Sequence, residues 1–232
     1  MLALEEATSE DPAHYRRQHM ERLRRSAALL EKHVHWQSSH VLDIGAGPLS
    51  TELPGLIPGR RVHVLDPGDG WRPQVEAAGM EFHAGSLGGG PLPFPDSQFD
   101  AVLALEVFEH LLECPQHIVP EFARVLQNDG ILVLTTPNQA RWLNRVRMLL
   151  GVNIQERPEN LFHKGWMTYG HIREYTLPEL SEEFAVNGLG TEEVGAWSPH
   201  PMPQGDWIRR AVDRFGPVTL NQILYGVFRK RA

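Results

Sequence analysis

The stretch that most constrains this chain is His40-Val41-Leu42-Asp43-Ile44-Gly45-Ala46-Gly47-Pro48-Leu49-Ser50. An apolar run with β-favouring Val41 and Ile44 carries an acid, and two glycines at alternate positions then turn the backbone toward a helix start. Glycine is required where φ is positive or where a ligand lies against the main chain. Gly45 and Gly47 therefore free this turn to approach a nucleoside.

Two nucleotide folds compete for such a turn. The dinucleotide fingerprint G-x-G-x-x-G wants a third glycine three positions after Gly47, where this chain has Ser50. Pro48 also removes a backbone N–H from the place where a pyrophosphate would be held. Asp43 points instead to a ligand with a cationic group, since a carboxylate there pairs with an ammonium and repels phosphate. S-adenosylmethionine carries such a group. The plainer reading is an ordinary tight turn with Asp43 as a helix cap.

Val-Leu-Asp-Ile-Gly-Ala-Gly over residues 41–47 resembles the first motif of the class I S-adenosylmethionine-dependent methyltransferases. The resemblance runs from about Val41 to the C-terminus. It is to the mixed group that includes ubiquinone-biosynthesis O-methyltransferases and the 2′-O-methyltransferases of small RNAs. It implies a doubly wound, mostly parallel seven-stranded α/β sheet, an N-terminal helix and a helical insertion after the fifth strand. It also implies cofactor contacts at Asp43, Gly45, Ala46, Gly47, Asp66, Pro67, Ser86, Leu87, Leu105 and Glu106.

Composition bounds the rest. The 232 residues suit one α/β domain over 1–232, with 41% hydrophobic and 22% charged residues, as in a soluble globular chain. No apolar run reaches the roughly 18 residues of a membrane span, and the first residues lack the pattern of a signal peptide, so the expectation is a cytoplasmic protein with no membrane contact. The one cysteine, Cys114, excludes an internal disulfide and a multi-cysteine zinc site, and reads as a buried or half-buried neutral thiol. A net charge of −7 argues against nucleic acid as a partner. Oligomeric state is not readable.

Along the chain, residues 1–35 read as a helical cap. Asp11-Pro12 starts a helix in which Met20, Leu23, Ala27 and Leu30 form one apolar face, ending near His33, with His14 and Tyr15 near the site or in plain packing. Residues 61–65 are a second strand ending in Asp66. An acid about 20 residues past the first strand is placed to accept hydrogen bonds from two ribose hydroxyls. Trp71 has two readings, beside the adenine or capping the sheet. Residues 81–84 are a third strand, followed by a segment resembling the family's Gly-Asp-x-x-x-Leu-Pro-Phe, with Ser86 in place of the acid that contacts adenine and the Leu87 main chain beside it. Residues 99–105 are a central strand, 118–126 a helix closed by Asn128-Asp129-Gly130, and 131–136 a fifth strand. The insertion over 138–170 opens with Arg141, Arg145 and Arg147 interleaved with apolar residues. It reads as a lid over the substrate mouth, or as a solvated basic face packed on its own domain. Thr176 and Glu179 form a capping box, and two more strands, around 192–197 and 222–228, complete the sheet. A stiff segment over 199–203 and a helix over 206–215 separate them.

Methyl transfer to a hydroxyl needs positioning and removal of a proton. Glu106, Glu109 and His110 lie just past the fourth strand, at spacings of three and four that share a helical face. With His171 they make two carboxylates and two imidazoles suited to a divalent metal such as Mg, and resemble the metal ligands of the small-RNA methyltransferases. Without metal, His110 or His171 is the general base, with Glu109 beside it. The expected activity is O- or N-methylation of a small-molecule acceptor. RNA 2′-O-methylation and a non-catalytic cofactor- or partner-binding domain are the alternatives. An NAD-dependent oxidoreductase is disfavoured by Pro48 and Ser50.

Overall fold

The computed structural model describes residues 12–155, 170–185, 188–198, 211 and 215–231, and the side chains of residues 12–15, 17 and 18 are not among those described. The expectations for His14, Tyr15, the 199–203 segment, residues 156–169 of the 138–170 insertion and most of the 206–215 segment therefore lie outside the described residues.

Seven strands form one sheet: β1 (His40–Ile44), β2 (Arg61–Asp66), β3 (Glu81–Ala84), β4 (Phe99–Leu105), β5 (Leu126–Pro137), β6 (Leu189–Trp197) and β7 (Ile223–Lys230). Their order is β3-β2-β1-β4-β5-β7-β6, parallel except where β7 runs antiparallel between β5 and β6. This is the doubly wound architecture expected from the sequence. The chain moves outward from β1 to β3 and then restarts on the other side of β1 with β4. The strand order thus reverses between β1 and β4, which opens a crevice at their carboxyl ends. The Gly45 turn and the Glu106 loop are the walls of that crevice.

Burial on both faces explains why β4 is an almost unbroken apolar run, since residues 99–104 are all at most 1% exposed. One face carries Leu42, Val102 and Ala104 against Ile118 and Phe122 of α4 (Pro115–Val125) and Leu180 and Phe184 of a helix over Leu177–Ala185. The other packs Val41, Val64 and Leu103 against Leu23, Ala27 and Leu30 of α1 (Pro12–His33), the apolar face read from the sequence. Leu53 of α2 (Leu53–Leu56) and Val75 of α3 (Arg72–Ala77) complete that layer, which Trp71 also joins, as a sheet cap would.

Three expectations need correction. The helix expected over 118–126 starts earlier, at Pro115, and ends at Val125. Asn128-Asp129-Gly130 is no helix cap but part of β5, where the ladder shifts register opposite Phe99. There Gly130 lies so close to Gln127 that an added Cβ would sit 2.9 Å from its carbonyl oxygen. Cys114 is exposed, because it precedes α4 on the surface. Helix α5 (Trp142–Leu149) buries Asn144 and leaves Leu143, Val146, Met148 and Leu149 exposed. The helix over Leu177–Ala185, now α6, begins after Thr176, whose N–H and hydroxyl both donate to Glu179. No described helix is long and apolar enough to cross a membrane.

Candidate active site

At the end of β1, Gly45 has φ +89 and an added Cβ would lie 2.9 Å from Val107 Cγ2, so only glycine fits. Gly47 differs: nothing lies within 4 Å of its would-be Cβ, and the space beside it is open for a ligand. Ser50, read above only as a missing glycine, is buried, and its hydroxyl accepts the Gly47 N–H at 3.2 Å. The same hydroxyl bonds Asp43. Burial pushes the Asp43 carboxyl up to about 7, the Ser50 hydrogen bond holds it back, and the nearby Asp66 charge adds to the rise.

Asp66 Oδ2 accepts the Ala46 N–H and Oδ1 the Gly68 N–H, both at 2.8 Å. Burial raises this carboxyl and the two amide bonds oppose the rise. Each oxygen keeps a lone pair for a further donor. Asp43, Gly45, Ala46, Gly47, Leu105 and Glu106 line one cavity of about 180 Å³, together with Arg22 and Ser50. Of the other expected cofactor contacts, Pro67 and Ser86 are exposed on flanking loops, and Leu87 lines a separate cavity of about 370 Å³.

A second cavity, of about 410 Å³, shares Arg22 and Glu106 with the first and adds Glu109, His110, His171 and Glu174. The helical stripe expected for Glu106, Glu109 and His110 does not form. Residues 108–110 make a single 3₁₀ turn, and Glu106 precedes it in a left-handed conformation at φ +57. Glu106 turns to Arg22, 3.5 Å away. Glu109 is fully buried, with Oε2 accepting the Thr136 hydroxyl at 3.1 Å and Oε1 making no hydrogen bond, 3.9 Å from His110 Nε2. Burial and then the Glu106 charge push its carboxyl well above the usual carboxylate range.

His110 Nδ1 lies 3.1 Å from the Gly170 carbonyl, which can only accept, so Nδ1 carries the proton. Burial lowers its pKa and keeps the ring neutral. His171 Nδ1 lies 3.1 Å from Glu174 Oε1, while Arg141 donates to Glu174 Oε2 at 2.7 Å. Burial would raise the Glu174 carboxyl, but these two partners outweigh it and hold it below the ordinary value. The two imidazoles meet edge to face at 5.2 Å. Ligand atoms of Glu109, His110 and His171 all lie within 4.8 Å of one another, whereas Glu106 is outside that group because Arg22 holds it. The donor set suits a divalent metal: each Nδ1 is tied to an oxygen acceptor, which leaves the Nε2 lone pair, and Glu109 Oε1 makes no hydrogen bond.

Arg22 and Glu174 were not singled out from the sequence, and Arg141 only as one of the arginines opening the 138–170 insertion. Glu174 stands three residues after His171, a spacing that could have suggested a histidine with its orienting carboxylate. Arg22 had no such signal, since one arginine among several on an amphipathic helix reads as solvated.

Residues 42–134 match the family described as methyltransferase domain. A probable S-adenosylmethionine-dependent methyltransferase of Mycolicibacterium smegmatis is 32% identical over 103 residues, 44% of this chain and 33% of that protein. The chain thus spans about a third of that relative's length. Among solved structures, the putative methyltransferase complexed with the Trm112 activator of Haloferax volcanii superposes with a TM-score of 0.64 at 18% identity, over 95% of this chain and 93% of that one. The 1,6-didemethyltoxoflavin-N1-methyltransferase of Burkholderia thailandensis, solved with S-adenosylhomocysteine, gives 0.55 at 19% identity, over 90% and 78%.

Proposed function

We propose that this chain, whose residues 42–134 match a methyltransferase domain and whose fold is that of class I S-adenosylmethionine-dependent methyltransferases, methylates an oxygen or nitrogen of a small molecule. The observation that carries this is the sharing of Arg22 and Glu106 between two adjoining cavities, one walled by the glycine turn and one by the histidines. S-adenosylmethionine supplies a sulfonium-activated methyl group. Asp66 receives the ribose hydroxyls, the main chain at Gly47 lies against the nucleoside, and Asp43 in its ionised form faces the ammonium. Leu105 and Glu106 close the cleft on the β4 side.

In the second cavity, His171 is the base that takes the acceptor proton, with Glu174 fixing its tautomer through Nδ1 and Arg141 fixing Glu174. His110, held by Gly170, and Glu109 are hydrogen-bonding groups for the acceptor. The net charge of −7 and the size of the cavity favour a small molecule over RNA.

A second reading rests on Glu109 Oε1, which makes no hydrogen bond: Glu109, His110 and His171 hold a divalent metal, which would acidify the acceptor hydroxyl.

Both are tested by S-adenosylhomocysteine release with a panel of hydroxyl and amine acceptors and with small RNA. The expected result is turnover with a small acceptor, lost in His171→Ala. Turnover on RNA alone would replace the acceptor class. Cofactor binding without turnover on any acceptor would favour a non-catalytic domain.

A further inference from the structure

Away from the crevice, three histidines cross the sheet edge in a row. In the β2–β3 ladder His63 pairs with Glu81 and Leu65 with His83, so His63, Glu81 and His83 project from the same face of the sheet. Leu42 pairs with His63, which sets His40, two residues before Leu42, on that face as well. His63 Nδ1 lies 3.2 Å from His83 Nε2 and 3.4 Å from Glu81 Oε2, and its Nε2 lies 2.8 Å from His40 Nδ1. His63 is 3% exposed, while His83 is half-buried and Glu81 reaches solvent.

We propose that His63, Glu81 and His83 form a binding site for a first-row divalent cation of the Zn²⁺ type, distinct from the cluster at His171. The spacing carries it. A tetrahedral zinc with bonds of about 2.0–2.1 Å holds its ligand atoms roughly 3.3–3.4 Å apart, and the two separations from His63 Nδ1 match without rearrangement. The ligand types agree: two imidazoles and one carboxylate suit zinc, nickel or copper, and not magnesium. The outer partner is also in place. With the His63 Nε2 proton donated to His40 Nδ1, the Nδ1 lone pair of His63 faces the other two ligands, which is how protein metal sites orient an imidazole.

The rings are held by packing. Phe94 stands edge-on to His83 with centroids 4.8 Å apart, and Phe99 edge-on to His63 at 5.3 Å. Binding needs one tautomeric change, in which His83 moves its proton from Nε2 to Nδ1. Solvent access through Glu81 and His83 provides the entrance and a fourth position for water. The consequence is structural: the cation clamps the short edge strand β3 to β2, just before the loop that carries Ser86 and Leu87.

The test is calorimetric titration of chelator-stripped full-length protein with Zn²⁺, alongside the visible spectrum of the Co²⁺ form. Wild-type protein and His171→Ala are expected to bind Zn²⁺ at this site and to give the intense absorption of tetrahedral Co²⁺. In His40→Phe, which keeps a ring beside His63, affinity is expected to drop about 10–100-fold. In His83→Gln and Glu81→Gln the site is lost. Glu81 is exposed, so its variant folds even if the others do not, and melting curves without metal establish this. Absence of Zn²⁺ binding in wild type, unchanged affinity in Glu81→Gln, or loss of the bound metal in His171→Ala alone would each overturn the assignment.

Discussion

The carboxylate of Asp66 accepts the main-chain N–H of Ala46 at 2.8 Å, so the end of β2 grips the middle of the glycine turn that follows β1. Two features far apart in sequence are thereby one device. The acid proposed to receive the ribose also fixes the turn proposed to lie against the nucleoside, so a change in either is felt by the other.

The two glycines of that turn are expected to behave differently. Gly45→Ala forces a left-handed φ on alanine and drives its Cβ against Val107, at a cost of about 1–2 kcal/mol from the backbone alone. A fall in melting temperature of several degrees reads this out. Gly47→Ala meets no protein atom, so its melting temperature stays near wild type while S-adenosylmethionine affinity drops.

Asp43 gives the cleft a pH dependence. Its folded value, about 7, stands above the ordinary 3.8, so protonated Asp43 favours the folded state. That contribution is full below the unfolded value and is lost as pH rises through 7, with Glu109 acting in the same direction. The free protein therefore melts lower at pH 8 than at pH 6, and Asp43→Asn flattens the difference. Ligand binding has the opposite slope, because the ionised carboxyl pairs with the ammonium. Affinity for S-adenosylmethionine rises between pH 5.5 and 7.5, by no more than tenfold per unit, and in Asp43→Asn this rise disappears.

Arg22 stands between two carboxyls. Arg22→Ala leaves Glu106 without its partner and Glu109 beside an uncompensated charge, costing about 1–3 kcal/mol. Arg22→Ala combined with Glu106→Gln recovers part of that loss, which a double-mutant cycle on melting free energies measures.

His171→Ala is expected to lower turnover by about 10²–10⁴-fold, and Glu174→Gln by less, since it removes only the orienting carboxylate. Chelator separates the two readings of the cluster. Turnover indifferent to EDTA leaves His171 as the base. Turnover lost with EDTA and restored by a divalent metal, with Glu109→Gln insensitive to that restoration, makes the cluster a metal site.

Much of this was legible in the sequence, for definite reasons. β4 is apolar on both faces because it is covered on both faces, and that requirement shows as a run broken only by Asp100. Asp66 could be found because the spacing from one strand end to the next is set by a single crossover. Tertiary context hid the rest. Nothing in one chain says that Arg22 bends inward while Arg25, three positions on, stays partly exposed with Glu21. Periodicity marks α5 as amphipathic without saying which side faces away. The left-handed turn at Glu106 also broke the helical spacing on which the expected carboxylate stripe depended.

The central claim, that the crevice between β1 and β4 binds S-adenosylmethionine through Asp66 and the glycine turn, is tested most directly by calorimetric titration of wild type and Asp66→Ala with that ligand. Wild type should bind one equivalent and show no comparable heat with NAD. In Asp66→Ala the loss of charge-assisted bonds to the ribose and to Ala46 costs about 2–4 kcal/mol, weakening binding by tens to hundreds of times. Equal affinity in a folded Asp66→Ala protein, or tighter binding of NAD than of S-adenosylmethionine by wild type, would contradict it.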